Sequence, residues 1–91
     1  MTPAKLDGDY LYPANPVQKA MFAARGYTAG RFTRPTVRAL IDEAIDAGDV
    51  VPVSRLFKKM GPYAHSIPLP ALILGGSVEG ALRVMEWKDG N

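Results

Sequence analysis

Prolines and glycines cut this chain into short elements. Pro13 and Pro16 close an N-terminal stretch, Gly26 and Gly48 each follow a helical pattern, and Pro52, Pro62, Pro68 and Pro70 break up what comes next. Each of these residues interrupts a helix or a ladder, through a missing N–H or a free backbone. Long helices and broad sheets are therefore excluded. With 91 residues the expectation is one small domain. A chain of this length buries only about 60–65% of its unfolded surface, so its core is thin.

Residues 1–14 read as an extended N-terminal arm. Alternation places Tyr10 and Tyr12 on one side and Leu11 on the other. Three large side chains in a row favour an arm that packs over a solvated tail. Residues 15–91 read as a single α+β domain.

The segment "NPVQKAMFAARG" carries a full set of helix signals. Asn15 is the cap and Pro16 occupies the first turn, where its missing N–H is harmless. Gln18, three after the cap, is placed to return a bond to the cap backbone. Val17, Ala20, Met21 and Ala24 fall on one face, widened by Phe22. Gly26 ends the helix.

A linker, "YTAGRFT", leads to a second helix from Arg34 to about Ala47, with Thr33 as cap. Val37, Leu40, Ile41, Ala44 and Ile45 form its apolar stripe. Its charges run against the helix dipole, with Arg34 and Arg38 near the positive end and Asp42, Glu43 and Asp46 near the negative end. Either neighbouring segments compensate, such as Lys58 and Lys59 over the acidic end, or the arginines face a partner.

Val50, Val51 and Val53 then give a β segment, confined to an edge by Pro52. "PYAHSIPLP" is a proline-rich loop. "ALILGG" reads as a short buried strand and a glycine turn. "SVEGALRVMEWKDG" fits a C-terminal helix capped by Ser77, with a hairpin as the rival. The fold class expected is thus α+β: two amphipathic helices, a short edge strand, a Pro-rich loop, a short strand, a C-terminal helix and an extended N-terminal arm.

Little points to chemistry. The single histidine, His65, sits in the proline-rich loop without a serine or carboxylate pattern around it. Asp42 and Asp46 share a helix face, but no calcium-loop pattern accompanies them, so no metal site is expected. "LILGGSVEG" offers a glycine turn but lacks the lysine and spacing of a phosphate loop. The expectation is a non-enzymatic protein without a cofactor. There is no cysteine and no apolar run approaching the ~20 residues of a membrane span; the N-terminus lacks a secretory h-region. This fits a cytoplasmic protein, or one within a cytoplasmically assembled complex.

Charge is banded along the chain. Residues 1–39 carry a net +4, residues 40–54 a net −4, and residues 55–91 a net +2. Apolar residues make up 47% of the chain, a high share for so small an interior. Several aromatics sit in segments unsuited to a central core. Tyrosine, tryptophan and arginine are also the residues that anchor interfaces. Together these features point to a small subunit or adaptor that docks on a larger protein assembly, or on further copies of itself. The expected contact residues are the N-terminal arm and a basic–aromatic band: Tyr10, Tyr12, Arg25, Tyr27, Arg31, Phe32, Arg34 and Arg38. The alternative is a small DNA- or RNA-binding regulatory protein of helix-turn-helix or winged type. Against it stand the low net charge, the acids on the second helix and an inter-helix spacing of about seven residues, where three or four are usual.

Overall fold

The computed structural model describes residues 1–53 and 66–90. The proline-rich stretch through His65, together with Lys58 and Lys59, lies outside the described residues. Among the described residues nine elements follow in order: β1 (Lys5–Asp7), β2 (Tyr10–Tyr12), α1 (Pro16–Ala23), β3 (Phe32–Thr33), α2 (Arg34–Asp46), β4 (Val50–Pro52), β5 (Ser66–Pro68), α3 (Leu69–Gly75) and α4 (Val78–Lys88). The fold class is the α+β expected from the sequence. β1, β2 and β3 form one antiparallel sheet in that order, and β4 and β5 form a second.

The N-terminal stretch does not run on as a single extended arm. It reverses at Gly8, whose φ of +61° suits glycine, and β1 pairs with β2. The expected alternation holds within this hairpin. Leu11 is fully buried while Tyr10 and Tyr12 face outward. β2 also pairs with β3, which lies inside the segment read as a linker. The Ala4 N–H donates to the Leu74 carbonyl at 2.8 Å, so the hairpin is fastened to α3 as well.

α1 starts as its sequence signals require: the Asn15 side chain accepts from the Gln18 N–H at 2.9 Å. Its buried face, however, is not the expected one. Val17 is 53% exposed, and the residues sealed inside are Gln18 and Phe22. Phe22 stacks on Phe32 with ring centroids 3.8 Å apart and planes 10° from parallel. A phenyl ring buries far more area than alanines do, so Phe22 sets the rotation of the helix. Gln18 then faces inward, where its side-chain amide is fully used. Its Oε1 accepts from the Ala14 N–H at 2.6 Å, and its Nε2 donates to the carbonyls of Thr2 at 2.9 Å and Ile73 at 3.0 Å.

α2 buries Val37, Leu40, Ile41 and Ala44 as its periodicity predicts; Ile45 stays largely outside. Thr33 occupies the cap position without capping, its hydroxyl lying 3.3 Å from that of Thr36. Gly48 follows with a φ of +77°. β4 forms as expected and, among the described residues, pairs with β5 alone, where Pro52 is tolerated on an edge.

The reading of "ALILGG" as a strand is corrected. Residues 71–75 lie in helix α3, Gly76 makes the expected glycine turn with a φ of +74°, and the short strand of this region is β5, just before the helix. A uniformly apolar run has no period to distinguish helix from strand. Here α3 lies against α1, α2, α4 and β5, and Ala71, Leu74 and Gly75 are fully enclosed. The C-terminal helix forms as expected, with the Ser77 hydroxyl accepting from the Gly80 N–H at 3.0 Å. α3 and α4 pack so closely that a Cβ on Gly80 would overlap the Gly75 carbonyl. One core results, built from Leu11, Phe22, Phe32, Val37, Leu40, Ile41, Ile67, Ala71, Leu74, Ala81, Val84 and Met85.

Candidate docking surface

The three-stranded sheet has one face in the core and one in solvent. Register pairs Leu6 with Leu11 and Leu11 with Phe32, which puts these three inward. The same register pairs Lys5 with Tyr12, Asp7 with Tyr10, and Tyr10 with Thr33, which puts these outward. The two tyrosine rings are neighbours, with centroids 6.5 Å apart and planes tilted by 59°.

Each ring carries a cation. The Arg31 guanidinium lies over Tyr10 at 4.2 Å, and the Lys5 ammonium lies 6.0 Å from the centre of Tyr12. Such contacts are worth about 0.5–1 kcal/mol at exposed sites. That is enough to bias the rings toward one orientation without burying them. Lys5 also approaches the Asp7 carboxylate at 3.7 Å. Lys5 was not singled out by the sequence, because it meets Tyr12 only across the hairpin.

The other members of the expected band are placed differently. Phe32 is buried on Phe22. Tyr27 packs edge-on against both rings and is half-buried. It borders a cleft of about 340 Å³ with Pro13, Lys19, Ala23 and Gly30. Arg25 joins α1 to α2, pairing with Glu43 at 3.1 Å and donating to the Met21 carbonyl at 3.3 Å.

Arg34 and Arg38 are held by the far end of α4. Arg34 donates to the Trp87 carbonyl at 2.8 Å and the Gly8 carbonyl at 3.1 Å, and pairs with Asp9 at 2.6 Å. Its guanidinium also lies 4.9 Å from the centre of the Trp87 ring. Arg38 donates to the Lys88 carbonyl at 2.8 Å. The carbonyl end of a helix is its negative pole. The two arginines that looked misplaced at the start of α2 thus complement the dipole of α4, a pairing visible only once the two helices are side by side. Arg34 and Arg38 line a second cleft of about 410 Å³, with Asp9, Tyr10, Thr33, Pro35 and Gly90.

Among the described residues no three histidine or acidic side chains gather where they could hold a metal ion, and no helix is long and apolar enough to cross a membrane. Every buried side-chain nitrogen and oxygen among them has a partner. Comparison with known proteins finds no matching family model, no matching curated relative and no matching solved structure.

Proposed function

We propose that this chain is a small non-enzymatic subunit or adaptor that docks on a protein assembly through the outer face of its three-stranded sheet. The observation that carries the reading is the pair of outward tyrosines, each with a cation over its ring. Tyrosine and arginine are favoured at interface centres because they offer large contact area and a polar handle together. A tyrosine loses little conformational entropy on docking, and a ring already oriented by a cation loses less. The contact set is Lys5, Tyr10, Tyr12 and Arg31. Arg25, Arg34 and Arg38 serve internal contacts, and Tyr27 and Phe32 serve the core. A cytoplasmic setting goes with this reading, since a chain without cysteine relies on no oxidising compartment.

The test is affinity capture with intact-mass measurement, comparing the native chain with a Tyr10→Ser/Tyr12→Ser variant of unchanged circular dichroism. The expected result is a defined protein partner on the native chain and its loss on the variant. Equal capture by both overturns the reading.

The same tyrosines favour a second reading, since bases stack on aromatic side chains flanked by cations. Single-stranded nucleic acid is the form that suits an open sheet face. Asp7 and Asp9 at the same hairpin oppose it. A labelled oligonucleotide titrated at two salt concentrations distinguishes the two, since phosphate contacts weaken steeply with salt.

A further inference from the structure

We infer that the partner on this face is a second copy of the same chain, docked head to tail against the acidic end of α2. The inference rests on the docking face described above and adds the identity of its occupant.

Among the described residues, five large apolar side chains are exposed: Met1, Val17, Ile45, Val50 and Leu69. Three of them belong to one end of the molecule, Ile45 at 45% exposure, Val50 at 38% and Leu69 at 40%. The backbone draws them together. The Asp49 N–H donates to the Ala44 carbonyl at 2.8 Å, the Leu69 N–H donates to the Asp49 carbonyl at 2.9 Å, and Val50 pairs with Pro68. Around this apolar patch stand Asp42, Asp46 and Asp49, all exposed. Asp46 is the last residue of α2, where the helix dipole adds further negative potential.

The tyrosine face, where Asp7 offsets Lys5 and Arg31 supplies the net positive charge, lies at the other end of the same helix. β3 runs directly into α2 at Arg34, and 13 residues separate that end from Asp46. At about 1.5 Å per residue the helix holds the two surfaces roughly 20 Å apart. One copy cannot close its own tyrosine face on its own acidic end. Two copies can, with Arg31 meeting the aspartates, Lys5 remaining beside Asp7 on its own face, and the tyrosine rings covering Ile45, Val50 and Leu69. Opposite charge on the rims and apolar area at the centre is the pattern of a complementary interface. Since the two surfaces differ, the contact is heterologous and propagates into a ring or an open chain of subunits.

Sedimentation velocity on the full chain tests this. The native protein is expected to gain weight-average mass from micromolar to millimolar concentration, and to lose that gain when salt is raised. Two variants isolate the surfaces: Tyr10→Ser/Arg31→Ser removes the basic face, and Asp46→Lys/Asp49→Lys reverses the acidic end. Each alone is expected to sediment as a monomer. Mixed, they are expected to form a 1:1 dimer and stop there, because one intact face meets one intact end. A native chain that stays monomeric at millimolar concentration in low salt overturns the inference. So does self-association that both variants retain. If the native chain is monomeric yet the tyrosine variant still loses a captured protein, the docking reading stands and this inference falls.

Discussion

Gln18 is sealed in the interior and ties three segments together through one amide group. Its partners are the Ala14 N–H and the carbonyls of Thr2 and Ile73. Leucine fits the volume but leaves the Ala14 N–H and the Ile73 carbonyl without these partners, and the Thr2 carbonyl with only the Asn15 amide at 3.4 Å. An unsatisfied buried group costs about 1–3 kcal/mol, so Gln18→Leu is expected to lose about 2–4 kcal/mol in urea unfolding. The bond to Ala14 is close to what the sequence announced, one residue earlier than the cap backbone. The bonds to Thr2 and Ile73 were not legible, because they join residues far apart in the chain. Gly80 makes a sharper test. In a helix, alanine for glycine stabilises by about 1 kcal/mol on propensity alone. Here the Gly75 main chain already occupies the place of the Cβ. Gly80→Ala is therefore expected to destabilise by about 2 kcal/mol or more, read as a lower urea midpoint. A stabilised variant would show that α3 and α4 are not in such close contact.

Among the elements, those with periodic or capping signals were legible: α1, α2 and α4 lie where Asn15, the Val37–Ala44 stripe and Ser77 place them. What failed was the direction of α1 and the identity of α3. Both depend on neighbours that local sequence does not name: Phe32 for the first, and the helices around Leu74 for the second. Of the proposed docking set, Tyr10, Tyr12 and Arg31 were singled out by the sequence and Lys5 needed the hairpin, while the inward role of Arg34 needed α4. This division gives a paired prediction. Arg34 fastens the Gly8 turn to the end of α4, so Arg34→Met is expected to lose about 2 kcal/mol, or roughly 10 °C in melting temperature for a chain of this size. Arg31→Glu gives up a single cation–π contact on the half-buried Tyr10 ring and is expected to lose only about 0.5–1 kcal/mol. Thermal melts followed by circular dichroism decide both. Of these two variants, Arg31→Glu is the one expected to weaken docking while the fold is kept.

At the scale of the whole molecule, the N-terminal hairpin is part of the body. It supplies Leu11 to the core, covers Phe32 with β2 and anchors to α3 through Ala4. Removing residues 1–14 is expected to expose the Phe22–Phe32 stack and give a loosely packed chain that binds hydrophobic dye and lacks a cooperative melt. A truncated protein that melts as sharply as the full chain would show that the hairpin is dispensable. Among the described residues, Phe22 and Phe32 are enclosed and Tyr27 and Trp87 pack against the core, and the outer sheet face is where Tyr10 and Tyr12 stand ready for the proposed partner. Hydroxyl-radical footprinting of the free chain and of its assembled complex tests this claim most directly. Tyr10 and Tyr12 are expected to lose reactivity on assembly while Tyr27 does not change. Full reactivity of Tyr10 and Tyr12 inside an assembled complex would contradict it.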